Sequence, residues 1–223
     1  MRKTEFKNEE YYHIYNRGVD KREVFLDTED YVRFLNSMRE FNDESTYEQR
    51  MYERNVASKE LSSQIEELSS FDVVRLDNLV EIICYCVNPN HYHLILKQLR
   101  SDGVKTFMHK IGTGYTNYFN KKYKRSGSLF QGPFKSIHID SNEYLLYLSA
   151  YVNKNNFIHG YNLVDWKYSS LLDYLGKRAG TLCNKESIMV QFNNDIERYK
   201  EFLENNALYL KEKKESTKYL LEE

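Results

Sequence analysis

The pattern of apolar and polar positions predicts strands and helices in alternation. Residues 10–18 alternate as a strand does and end in a turn at Gly18. From Thr28, the expected N-cap, to about Phe41, apolar residues recur at the spacing of one helix face. Two apolar runs within residues 78–98, separated by an Asn-Pro-Asn turn, predict a β-hairpin.

The chain beyond residue 98 continues this alternation. A helix is expected from about Asp102 to Lys122, and a loop and strand over 127–140. Ser141 is the expected N-cap of a helix over 142–156. The order strand, helix, hairpin, helix, strand, helix predicts an α+β fold, a ferredoxin-like sandwich with helices packed on one antiparallel sheet.

The character of the chain changes at two places. Residues 43–70 carry seven acidic and three basic side chains with few apolar ones, which indicates a solvated insertion. Beyond Gly176 the chain is polar with a helical pattern. We therefore expect one main domain over 1–176, interrupted by the insertion, and a helical tail over 177–223.

Composition limits the class of protein. The net charge is −1, and no apolar run is long enough to cross a bilayer. The N-terminus has no charged-then-apolar leader, so a cytoplasmic protein without a membrane partner is expected. Cys84, Cys86 and Cys183 are too few and too poorly placed for a disulfide framework, and the first two are expected to be buried thiols.

Two histidines are the first candidates for chemistry. His91 and His93 lie two apart in a predicted strand, so their imidazoles project from the same face. Such a pair binds a divalent metal when another element supplies a third donor. Hydrogen-bonded strand histidines are the alternative.

A tyrosine and an asparagine form the second candidate pair. Tyr151 and Asn155 lie one helical turn apart, so an amide oxygen can complete a metal site beside a phenol. Tyr144 and Tyr147 continue the same spacing, however, and an aromatic stripe that only packs would have this pattern too.

The segment 97–135 is strongly basic, with nine Lys and Arg residues against one acid, and it is interleaved with aromatic residues. This combination favours binding of a nucleic acid through its phosphate backbone and its unstacked bases. A solvated helix face is the alternative.

Five segments together resemble a known family. They are 12–18 (YHIYNRG), 89–94 (PNHYHL), 127–131 (GSLFQ), 151–155 (YVNKN) and 166–170 (WKYSS). In type and order they are similar to the REP-associated tyrosine transposases, which belong to the insertion-sequence 200-like, single-tyrosine HUH transposases. The resemblance covers roughly residues 10–178. It departs at Asn156, where the family commonly has proline.

The resemblance implies metal-dependent cleavage and rejoining of single-stranded or hairpin DNA through a 5′-phosphotyrosine. Tyr151 would be the nucleophile, and His91, His93 and Asn155 would bind Mg²⁺ or Mn²⁺. The residues expected to contact DNA come from the basic segment and the matching motifs: Arg17, Lys105, Lys110, Lys121, Lys122, Lys124, Arg125, Gln131 and Lys135. A homodimer is one expected form.

Two other functions fit the same residues. The chain could be a hairpin-binding protein without catalysis, or a metal-dependent phosphodiesterase that uses water while Tyr151 only packs. A covalent protein–DNA adduct separates these from strand transfer.

Overall fold

The computed structural model describes residues 5–43, 78–161 and 166–220, with the backbone alone over 213–220. The acidic insertion predicted at 43–70 lies outside the described residues apart from Asp43. The described strands and α-helices in chain order are β1 (Tyr11–Arg17), α1 (Thr28–Glu40), β2 (Val80–Asn88), β3 (His91–Gln98), α2 (Gly103–Lys122), β4 (Lys135–Ile139), α3 (Asn142–Asn153), α4 (Asn155–Ile158), α5 (Leu171–Tyr174), α6 (Glu186–Met189) and α7 (Ile196–Leu220).

The four strands form one antiparallel sheet in the order β2-β3-β1-β4. With α1 between β1 and β2, and α2 between β3 and β4, this is the βαββαβ arrangement of a ferredoxin-like sandwich. The predicted fold class is therefore confirmed. The hairpin predicted around Asn88 is the pair β2–β3, joined by the two residues Pro89 and Asn90.

The two faces of the sheet have different neighbours. Tyr92 points toward α1 and packs against Phe34 with 5.1 Å between ring centroids. Since side chains alternate along a strand, its neighbours His91 and His93 project from the opposite face. The helix α3 packs across that opposite face, in contact with β2, β3 and β4.

Two helix ends differ from the sequence prediction. Asp27, and not Thr28, is the N-cap of α1, because its carboxylate accepts a hydrogen bond from Asp30 N at 3.0 Å. The helix predicted over 142–156 is interrupted: α3 ends at Asn153 and α4 begins at Asn155. At its other end Ser141 is the N-cap as predicted, and its hydroxyl accepts from Tyr144 N at 3.2 Å.

The tail is helical and docks on the sheet-covering helices. The long helix α7 packs against both α3 and α4. Tyr199 of α7 is fully buried and hydrogen-bonds Asn153 Nδ2 at 2.9 Å. The division at residue 176 stays a prediction.

Cys84 and Cys86 are buried free thiols, as expected. Among the described helices, none is both long and apolar enough to cross a lipid bilayer.

Candidate active site

Strand register gathers the candidate residues on one face of the sheet. On β3, His93 lies opposite Tyr15 of β1, and His91 lies opposite Arg17. Asn88 of β2 lies opposite His91 on the other side. The two histidine rings are nearly perpendicular, with centroids 5.3 Å apart. The prediction that both imidazoles share a face is confirmed by this register.

The tautomer of His91 is set by Asn90. Asn90 Nδ2 donates to Lys21 O at 3.0 Å, which turns its Oδ1 toward His91 Nδ1, 2.6 Å away. An amide oxygen only accepts, so His91 Nδ1 carries the proton and Nε2 carries a lone pair. That lone pair faces Asn155 Oδ1 at 3.0 Å. Two electron-pair donors thus converge at a site where His91 is 4 % exposed and Asn155 is fully buried.

His93 is joined to a third histidine. Its Nδ1 lies 2.8 Å from His13 Nε2, and the two rings are nearly parallel, at 19°, with centroids 5.0 Å apart. Burial lowers the pKa of His13 to about 4. Burial, reinforced by His13 and His91, also holds the pKa of His93 well below its usual value. Both imidazoles are therefore neutral at pH 7, as metal ligands must be.

Tyr151 stands over this histidine pair. Its ring meets the His93 ring edge to face at a centroid distance of 5.3 Å. Burial raises the pKa of the Tyr151 phenol, while the adjacent Asn155 amide lowers it. Although a break at Lys154 separates the helices of Tyr151 and Asn155, the two side chains remain neighbours. Asn155 Nδ2 is buried without a well-formed hydrogen bond.

The other candidate tyrosines are placed differently. Tyr115 is fully buried in the core, donates its hydroxyl to Val24 O at 2.6 Å, and has its pKa raised by that burial. Tyr144 and Tyr147 are half-buried on α3, and neither lines the pocket that Tyr151 lines.

A pocket of about 220 Å³ opens above the histidines. It is lined by His91, His93 and Tyr151 together with Arg17, Gln131 and Lys135 among others. The last three were predicted from the sequence to contact DNA, and the structure brings them to the mouth of the candidate site. A larger cavity of about 610 Å³ runs between α2 and the loop 128–134. Asn16 lines both cavities, so the two adjoin.

The remaining basic residues fall into three groups. Lys105, Lys110 and Lys122 pair with Asp102, Asp43 and a cluster of three carboxylates, respectively. Lys121 and Lys124 are exposed and have no ion pair among the described residues. Arg125 is half-buried, with its guanidinium 5.7 Å above the Phe119 ring. DNA contact stays a prediction for all six. Lys122 is already engaged by three carboxylates within the protein.

Within the described ranges, no three His, Cys, Asp or Glu side chains lie close enough to hold a metal by themselves. The contact between His91 and Asn155 places an amide oxygen beside an imidazole nitrogen, two donor types that a divalent metal accepts. Sequence reasoning missed His13 and Asn88. Strand alternation places His13 on the same face as Tyr15, but the sequence does not show which strand pairs with β1.

The comparisons with known proteins bear on the same residues. The family described as "Transposase IS200 like" matches residues 47–155, which include both strand histidines, Tyr151 and Asn155. The resemblance to the IS200-like transposases is confirmed.

The matched segment extends from before the described strand β2 to the first residue of α4. No curated protein is similar enough in sequence to count as a relative. A solved structure of a REP-associated tyrosine transposase bound to a REP hairpin is 15 % identical. It aligns over 82 % of this chain and 93 % of that chain, with a TM-score of 0.49.

Proposed function

We propose that this protein cleaves and rejoins single-stranded or hairpin DNA through a covalent bond to Tyr151, with Mg²⁺ or Mn²⁺ as cofactor. The observation that carries the proposal is the grouping of four side chains. Tyr151 packs on His93, and the Asn155 amide lies between the Tyr151 phenol and His91 Nε2. The match to the IS200-like transposases supports the same class of reaction.

The residues present fit a divalent metal. His91 Nε2 and Asn155 Oδ1 lie 3.0 Å apart with their lone pairs converging. Two ligands at right angles around Mg²⁺, each at about 2.1 Å, are separated by about 3.0 Å. The Nδ1 of His93 is engaged with His13, so its Nε2 is the ring nitrogen left for a metal. His91, His93 and Asn155 would hold the ion.

When bound, the ion would supply positive charge that polarises a phosphate and favours the phenolate. The chain's own residues prepare for this. Asn90 holds His91 with its Nε2 lone pair toward Asn155. His93 would bind the ion through Nε2 in the tautomer that donates Nδ1–H to His13, so His13 would orient the His93 ring.

Tyr151 would act as the nucleophile. Its oxygen forms a bond to phosphorus, and the bond between phosphorus and the 3′-oxygen breaks. The 3′-oxygen leaves as a hydroxyl, so the proton lost by the phenol is balanced by the proton gained by the leaving group. A later 3′-hydroxyl reverses the step and joins strands without another energy source.

The surroundings favour DNA as the substrate. Arg17, Gln131 and Lys135 at the pocket mouth suit a phosphate that approaches Tyr151. At about 220 Å³ the pocket is too small for a duplex, and we expect it to receive a phosphate group of a single strand. The adjoining cavity beside α2 offers such a strand a continuation, and the half-buried Phe134 in its lining is a candidate for stacking on a base.

Denaturing gels test this function. The purified protein is mixed with end-labelled hairpin DNA that carries single-stranded flanks, in Mg²⁺ or Mn²⁺. We expect a labelled adduct that survives denaturant, and a free 3′-hydroxyl on the other product. Cleavage without an adduct would indicate a hydrolase that uses water, and binding without cleavage would indicate a DNA-binding protein.

A further inference from the structure

The carboxamide of Asn88 lies against two proposed metal ligands. Asn88 Nδ2 is 2.6 Å from Asn155 Oδ1 and 3.1 Å from His91 Nε2. Asn88 is fully buried, at the last position of β2, where it faces His91 across the sheet. This position holds the amide in place through both strand pairing and burial.

The three atoms form a triangle of the size that an octahedral metal site requires. Its sides are 2.6, 3.0 and 3.1 Å, against the separation of about 3.0 Å between adjacent ligands around Mg²⁺. Seen from Asn88 Nδ2, the directions to Asn155 Oδ1 and His91 Nε2 differ by a small angle. The two N–H bonds of an amide diverge by a wider angle, so they cannot point at both acceptors at once. An amide nitrogen at this position therefore makes at most one good hydrogen bond to the other two atoms. An amide oxygen there would be well placed to bind the same cation as those two atoms.

We infer that Asn88 is a further metal ligand, which turns its carboxamide over when the ion binds. This inference rests on the proposed metal-dependent cleavage. Without metal, Asn88 Nδ2 donates to Asn155 Oδ1 and lies beside the Nε2 lone pair of His91. With metal, Oδ1 takes the place of Nδ2 and completes the set of ligands.

The far side of the amide permits both orientations. Asn88 Oδ1 lies 3.8 Å from Cys86 Sγ, which is buried. A thiol is both a weak donor and a weak acceptor, so it tolerates an oxygen or an NH₂ group at that distance. Turning the amide over thus leaves no strong hydrogen bond broken behind it.

Binding of Mn²⁺ alone to the full chain, followed by electron paramagnetic resonance, tests the assignment without DNA. Asn88→Leu keeps the approximate shape and removes the oxygen, and we expect it to weaken Mn²⁺ binding about tenfold or more. Asn88→Asp supplies a charged oxygen, and we expect it to tighten binding about tenfold. Asn194→Asp, which adds the same charge on an exposed turn, is the matched control and should bind as the wild type does.

Thermal unfolding gives a second readout. In Asn88→Asp without metal, a carboxylate faces Asn155 Oδ1 with no hydrogen to share, so its Tm should fall below that of the wild type. Mn²⁺ should restore it, which gives a larger metal-induced rise in Tm than in the wild type. This variant also keeps the assignment testable if Asn88→Leu does not fold.

Failure of the inference is distinct from failure of the proposed function. If His91→Ala loses Mn²⁺ binding while Asn88→Leu binds as tightly as the wild type, Asn88 is not a ligand and the proposed metal site stands. If His91→Ala also binds like the wild type, the proposed metal site itself is wrong. Unchanged affinity in Asn88→Asp would likewise overturn the role of Asn88.

Discussion

Two neighbouring lysines near the end of α2 are expected to behave in opposite ways. Lys122 Nζ contacts carboxylates of Asp27, Glu29 and Asp30 at 2.8–3.0 Å, and Asp30 is fully buried. Lys121 beside it is exposed and has no ion pair among the described residues. Although both are basic residues of the same segment, only Lys121 can neutralise a DNA phosphate without breaking internal bonds.

The magnitudes follow from these contacts. Lys122→Met leaves Asp30 with hydrogen bonds from Leu26 N and two tyrosine hydroxyls but no cation, which should lower the free energy of unfolding by about 1–3 kcal/mol. It should leave the salt dependence of DNA binding unchanged. The double variant Lys121→Gln/Lys124→Gln should instead reduce the slope of log affinity against log salt by about 1.4, or about 0.7 for each phosphate contact on a single strand.

Urea unfolding and fluorescence anisotropy with single-stranded DNA between low and moderate salt measure the two effects on the same proteins. Each variant is the control for the other. The reasoning is refuted if Lys122→Met reduces the salt slope as much as the loss of Lys121 and Lys124 does, with no loss of stability.

Three further outcomes are expected. His91→Ala should abolish cleavage in Mg²⁺ and in Mn²⁺ with an unchanged circular dichroism spectrum, and activity near the wild-type level would contradict the metal assignment. Because burial lowers the pKa of His13 from 6.5 to about 4, its contribution to stability is complete above pH 6.5 and is lost as the pH falls toward 4. Urea titrations should show a loss of about 3 kcal/mol at most over that range, and a curve flat in pH would count against a neutral buried His13. Tyr199→Phe removes the hydroxyl that bonds Asn153 Nδ2 and Ser149 Oγ, and should cost about 1–3 kcal/mol of unfolding free energy, whereas an unchanged urea midpoint would show that these bonds do not hold α7 to α3.

The fold was predictable from the sequence because local patterns specify each element. The alternation around Asn88 predicted the hairpin, and helical spacing predicted α1, α2 and α3. The capping rule worked at Ser141 and was one residue wrong at Thr28, where the neighbouring Asp27 offers a stronger N-cap. The break at Lys154 followed from no local residue preference, since neither glycine nor proline stands there.

The site was predictable only in part, because part of it depends on strand register. The pairs His91 with His93 and Tyr151 with Asn155 are local in sequence, so spacing alone indicated them. His13 is separated from His93 by 80 residues along the chain, and their contact depends on how β1 lies against β3. Charge counting has a similar limit. It treats Lys121 and Lys122 alike, although tertiary contacts give Lys122 three carboxylate partners.

The identity of the residue joined to DNA tests the central claim most directly. The adduct formed with hairpin DNA in Mn²⁺ is digested with protease and nuclease, and the nucleotide-bearing peptide is mapped by mass spectrometry. Tyr151→Phe keeps the ring against His93 and removes one oxygen, so DNA binding should be retained while the adduct disappears. Tyr147→Phe, one turn earlier on α3, is the matched control and should still form the adduct. The account predicts a nucleotide joined through its 5′-phosphate to Tyr151 alone. A nucleotide joined to another tyrosine, or an adduct that persists in Tyr151→Phe, would contradict it.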